Sequence, residues 1–147
     1  MVTLLEQLHS TGYVHSDLKP ENICVGEYDD WKTLHEVKLI DFELAKPFRE
    51  GSKHISEIPV ETFVGNLAFC SPGAASHVTV CRRDDLLSLF LILIYLRTGR
   101  IHGSRFKDDK PRFKAYRASI DVKEVCRKAQ CHYLKDFVKT ISKVGFT

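Results

Sequence analysis

The stretch that most constrains this chain is Leu86 to Leu96, read as Leu-Leu-Ser-Leu-Phe-Leu-Ile-Leu-Ile-Tyr-Leu. It covers about eleven residues, against the ~20 needed to cross a bilayer. A helix this short and apolar on every side is stable only inside a core that other elements build around it. Asp84 and Asp85 favour a helix start just before it, and Gly99 a stop just after. The pattern therefore predicts a buried central helix over residues 84–98. With 147 residues, 44% of them apolar, the chain is long enough for one such core.

Elements that could wrap that helix are visible on both sides. Val2, Leu4, Leu5 and Leu8 give residues 2–11 one apolar face, stopped by Gly12. Residues 110–118 and 121–143 also read as helices, with Ser119 or Asp121 as a cap. Ile23-Cys24-Val25 and Val37–Ile40 read as two short strands, with a polar surface insertion from Gly26 to Glu36 between them. Residues 44–80 hold no sustained period and are punctuated by Pro47, Gly51, Pro59, Gly65, Pro72 and Gly73. A loop this long is expected only where it is functional.

Chemistry concentrates next to the two strands. His15-Ser16-Asp17-Leu18-Lys19-Pro20-Glu21-Asn22 leads into the first. It differs at one position from H-R-D-L-x-x-x-N, a loop in which the Asp serves as base and the Asn, five residues on, turns back toward a metal ion. Pro20 fixes its own φ and restricts Lys19, which stiffens the loop. Asp41-Phe42 leaves the second strand, in the place of a D-F-G metal ligand. Arg82-Arg83-Asp84-Asp85 then opens the apolar helix.

These three features, in this order, resemble the C-terminal lobe of a eukaryotic protein kinase. The Arg82-Arg83-Asp84-Asp85-Leu86 run, the Ser71-Pro72-Gly73 in place of A-P-E, and the segment from Cys126 to Phe146 are similar to the casein kinase 1 group, including its vaccinia-related members. The resemblance implies a mainly α (α+β) fold: helices around a buried central helix, with a small β-hairpin carrying the catalytic and metal-binding loops. It makes residues 1–147 a partial kinase domain, C-lobe only, with an incomplete last helix.

It also implies roles. Asp17 is the expected catalytic base and Lys19 the residue that steadies the γ-phosphate, so Asp17 and Lys19 are catalytic candidates. Lys19, Asn22 and Asp41 are expected to bind the cofactor, ATP, with Asn22 and Asp41 as ligands of Mg2+. Asp85 is expected to buttress the catalytic loop from the central helix, and His15 to be structural. The implied activity is transfer of the ATP γ-phosphate to serine or threonine hydroxyls of a protein substrate.

Several positions depart from the family pattern. Ser16 replaces the loop Arg that grips an activation-segment phosphate in many kinases. Glu43 replaces the Gly of D-F-G, and Glu tolerates fewer backbone conformations. Asn66 follows Gly65 where Thr is usual, and Phe90 stands where Gly is usual. No Gly-rich phosphate loop, V-A-I-K lysine or partner Glu occurs in these residues, so the chain alone is expected to be weakly active or inactive. The alternative reading is a pseudokinase scaffold that binds acidic or phosphorylated proteins.

Charge bears on partners. The formal net charge is only +3, which gives no reason to expect nucleic acid. Between Arg97 and Lys128, however, eleven Lys or Arg stand against four Asp or Glu. Such a basic face suits acidic or pre-phosphorylated substrate segments. Five cysteines form no C-x-x-C pair, and Cys126, Cys131 and His132 match no zinc spacing. With no signal peptide visible, an intracellular protein is expected, cytoplasmic or nuclear, without membrane association.

Overall fold

The computed structural model describes residues 1–26, 33 and 36–146. Most of the expected insertion between the strands lies outside these residues. Helix α1 spans Val2–Ser10 and buries Leu5 completely. It stops at Thr11 and Gly12, whose φ of 90° is open to glycine at no steric cost. Strand β1 (Tyr13–Val14) then pairs antiparallel with β4 (Lys46–Pro47). Strands β2 (Ile23–Val25) and β3 (Val37–Leu39) form the expected hairpin, with Ile23 opposite Leu39. The two ladders bring the loop after β1 and the loop after β3 side by side.

The segment from 44 to 80 holds more structure than its sequence suggests. Besides β4 it carries a ribbon of β5 (Arg49–Glu50) and β6 (Lys53–His54), turned by Gly51, and a short helix α2 (Pro72–Ala75). Elements of two to four residues are too short to show a period, so long-range contacts decide them. Phe48, fully buried, is one such contact: the guanidinium groups of Arg49 and Arg82 lie over its ring at 5.1 and 4.8 Å.

Helix α3 runs from Arg82 to Thr98 and is the buried centre that its sequence demands. It begins two residues before the predicted start because Asp84 reaches back to accept from the Cys81 backbone N–H at 2.8 Å. Gly99, at φ 67°, closes it. Leu89, Phe90, Leu91, Ile92 and Ile94 are buried, and each large apolar side chain so placed contributes roughly 1.5–3 kcal/mol. Phe90 fills core volume. Helices α1 and α2, and later in the chain α6 (Lys135–Ile141), all contact α3.

Helix α4 (Lys110–Ala118) matches its prediction and is capped by Asp109. The single helix expected over 121–143 is instead broken. Helix α5 (Val122–Lys128), capped by Asp121, ends at Gln130 in a left-handed conformation (φ 53°), and α6 (Lys135–Ile141) follows a single 3-10 turn. The break lets Val125 and Cys126 on α5, and Val138 and Ile141 on α6, reach the same core. A straight helix would carry one pair away from α3. No helix among the described residues is long and apolar enough to cross a membrane.

Candidate active site

Asp85 on α3 organises the site. It is 2% exposed. Its Oδ2 accepts from the His15 backbone N–H at 2.8 Å and from His9 Nε2 at 2.8 Å, and its Oδ1 accepts from the Ser16 N–H at 3.1 Å. The buried helix thus holds the loop after β1 by its backbone, as expected for Asp85. The bonds require Ser16 to turn through a left-handed φ of 68°. His15, fully buried, ties this loop to the other one. Its Nε2 donates to the Ile40 carbonyl at 3.1 Å, its Nδ1 accepts from the Asp17 N–H at 3.4 Å, and its ring lies 5.1 Å from that of Phe42.

The four candidate residues come together around these ties. Lys19 Nζ donates to Asp17 Oδ2 at 2.6 Å and lies 3.9 Å from Asp41 Oδ2. The hydrogen bond to Asp17 holds the Lys19 ammonium above the usual lysine pKa, and the charges of Asp41 and Glu21 add to the effect. Asn22 is buried and donates from Nδ2 to the Asp17 carbonyl at 3.0 Å. That bond leaves its amide oxygen for another partner. Asp41 sits at φ 64°, a conformation in which Asp is among the better-tolerated residues, with its carboxylate partly exposed.

Asp17 Oδ1 is buried and has no hydrogen-bond partner among the described residues. An orphaned carboxylate oxygen is costly and is found where a further donor belongs. The segment bearing Gly65 lies directly against it. A Cβ on Gly65 would meet the Ser16 carbonyl at 2.6 Å and Asp17 Oδ1 at 3.6 Å, and φ there is 105°. Only glycine fits. Asn66, next to it, accepts from the Ala68 N–H at 2.8 Å and so shapes its own segment.

This arrangement offers donors whose chemistry suits a hard cation and phosphate oxygens. Mg2+ takes hard oxygen ligands, few of them from protein and the rest from water and phosphates. The amide oxygen of Asn22 and the carboxylate of Asp41 are such donors, and Lys19 is a point charge suited to a phosphate oxygen. Among the described residues no group of three His, Cys, Asp or Glu converges on one metal position.

The family model for the protein kinase domain matches residues 1–144. The chain belongs to that family. Within it, a casein kinase 1-like protein of Oryza sativa subsp. japonica is 38% identical over 117 residues, covering 76% of this chain and 16% of the relative. A probable casein kinase I homologue of Encephalitozoon cuniculi is 30% identical over 132 residues, covering 86% of this chain and 40% of the relative. The kinase chain therefore spans well under half the length of both relatives.

Geometry answers some of the departures from the kinase pattern. Glu43 is exposed and has no positive φ, because Phe42 to Ala45 close a turn (Ala45 N–H to Phe42 carbonyl, 3.0 Å) that Glu adopts without strain. Ser71, in the A-P-E position, donates to Asp84 and caps α2 by accepting from the Ala74 N–H. Part of the basic run from Arg97 to Lys128 is engaged. Arg105 and Arg112 stack on Phe106 at 4.6 and 4.7 Å, and Lys128 pairs with Glu124 at 2.7 Å. Arg117 is fully buried, over the Phe113 ring, and donates to the Ala68 carbonyl. Sequence reading missed Arg117; its place four residues after buried Phe113, on the same helix face, is the signal that pointed to it.

Proposed function

We propose that this chain is the substrate-side half of a serine/threonine protein kinase, in which Asp17 orients a protein hydroxyl and takes its proton. The supporting observation is Asp17 itself: Lys19 holds one carboxylate oxygen at 2.6 Å while the other is buried beside Gly65 with no donor among the described residues. A substrate hydroxyl delivered along the Gly65 segment completes that oxygen. Lys19 holds transferring phosphate oxygens, and Asn22 and Asp41 bind Mg2+. Bound MgATP supplies the electrophilic phosphoryl group and neutralises the charge that develops on it. The chain's own part is positioning and electrostatics.

These residues contain no counterpart of the family's phosphate-covering loop or clamp lysine, so the chain by itself transfers phosphate slowly or not at all. The test is phosphotransfer from MgATP to an acidic protein substrate. Asp17→Asn lowers whatever rate the wild type shows by about 10²- to 10⁴-fold. A rate unchanged by this substitution removes Asp17 as base. A wild-type chain that shows no Mg2+-dependent nucleotide binding in a thermal-shift titration, yet retains acidic protein partners, is the scaffold of the alternative reading.

A further inference from the structure

Helices α5 and α6 meet around a cavity of about 410 Å³ whose walls carry charge of one sign. Lys123 and Arg127 line it from α5, His132 from the 3-10 turn, and Lys135 and Lys139 from successive turns of α6. Buried Cys126 and Val138 form an apolar floor. No Asp or Glu among the described residues lines it. None of the four Lys and Arg side chains has an ion-pair partner among the described residues. Of the nearby acids, Glu124 pairs with Lys128 and Asp121 accepts from the Lys123 and Glu124 backbone N–H groups, while Asp136, on α6 beside Lys135, is not among the lining residues.

Four like charges around one cavity repel one another, and a multivalent anion among them reverses the sign of that energy. Ammonium and guanidinium donors match phosphate oxygens. The volume lies in the small-ligand range of roughly 300–1,000 Å³. Each bounding helix has only seven residues, about 10 Å of length, whereas five residues of extended peptide need about 17 Å. The occupant is therefore compact.

We propose that this cavity binds a small polyphosphate, several phosphates on one compact scaffold. It shares no residue with the Asp17 site, and the proposal stands whether or not the chain transfers phosphate. The same chemistry is offered by a soluble polyphosphate and by a phosphoinositide headgroup.

Calorimetric titration of the 147-residue chain with inositol hexakisphosphate at about 0.15 M salt tests it. Saturable binding is expected. The Lys135→Glu, Lys139→Glu double variant weakens it at least about tenfold, while Lys107→Glu with Lys110→Glu, outside the cavity, changes it less than about twofold. All four positions are exposed, so both variants keep the wild-type circular dichroism melt. No saturable binding, or equal loss in both variants, overturns the proposal. Co-sedimentation with phosphoinositide vesicles but not phosphatidylcholine vesicles, lost in the cavity variant, assigns the anion to a lipid headgroup. Binding of the free polyphosphate alone assigns it to a soluble one. A doubly phosphorylated peptide that needs Lys135 and Lys139, and that inositol hexakisphosphate fails to displace, overturns the compact-anion proposal in favour of a peptide groove.

Discussion

Asp85 and Arg117 are both charged and both almost wholly buried, yet their surroundings differ in kind. Asp85 meets three donors from two other elements, and both of its oxygens are used. Among the described residues Arg117 has one hydrogen bond, to the Ala68 carbonyl, while its Nε and one terminal nitrogen are buried without a partner. Burial has pushed its pKa down to about 10. One charge organises the loop that carries Asp17. The other fills space beneath the segment that follows Gly65. Burial alone does not reveal which charge holds a fold together; the number of donors and acceptors it closes does.

The largest effect follows from the closed network. Asp85→Ala leaves the buried His15 N–H and the half-buried Ser16 N–H and His9 without this acceptor. It costs about 3–5 kcal/mol, read as a lower urea midpoint or loss of the cooperative transition. Asp85→Asn, which keeps one acceptor oxygen, costs less. A cost below about 1 kcal/mol for Asp85→Ala breaks the comparison at once.

An alkaline titration probes the Arg117 side. Burial pushes the Cys70 and Cys81 thiols up to about 11 from an ordinary value of 9.0, in Cys70 against the pull of nearby Arg117. Between those pH values the folded state holds more protons than the unfolded one, so stability falls as pH rises. Below pH 9 the contribution is intact. Above about 10 the depressed Arg117 works in the opposite sense, because the folded guanidinium gives up its proton first. The clean window is therefore about pH 8 to 10, where the two thiols together lose roughly 2–3 kcal/mol. Cys70→Ala removes about half of that slope. A flat urea midpoint across the window refutes the burial account of both thiols.

What was legible from sequence follows the same division. The central helix, α1, α4 and the β2–β3 hairpin are carried by local periodicity and caps, and Asp17, Lys19, Asn22 and Asp41 stand in one contiguous loop and one strand exit. The elements were readable, and for the expected site residues the folded chain shows that Lys19 meets both Asp17 and Asp41. The break at Gln130 was not readable, since a non-glycine residue in a left-handed turn leaves no local mark and the apolar spacing of 121–143 continues through it. The β5–β6 ribbon is too short to show a period, and the close approach of Gly65 to Ser16 depends on a partner far away in sequence. Arg117 hid in a charged helix because its burial is decided by Phe113 and Ala68 together.

The smallest effect is the sharpest test. Met is close to Arg in length, lacks the charge, and makes favourable contacts with aromatic rings such as Phe113. Replacing an uncompensated buried charge with a well-packed apolar residue is often neutral or stabilising, and among the described residues the hydrogen bond lost is the one to Ala68, with the charge over the Phe113 ring exchanged for a sulfur contact. Arg117→Met should therefore change stability by less than about 1 kcal/mol, or raise it, whereas Arg117→Ala opens a cavity and costs roughly 2–3 kcal/mol. The two variants together separate volume from charge. If Met is as damaging as Ala, the guanidinium matters for its donors, and the segment after Gly65 is held by charge as firmly as the Asp17 loop is held by Asp85. If Met is harmless, that segment rests on packing alone.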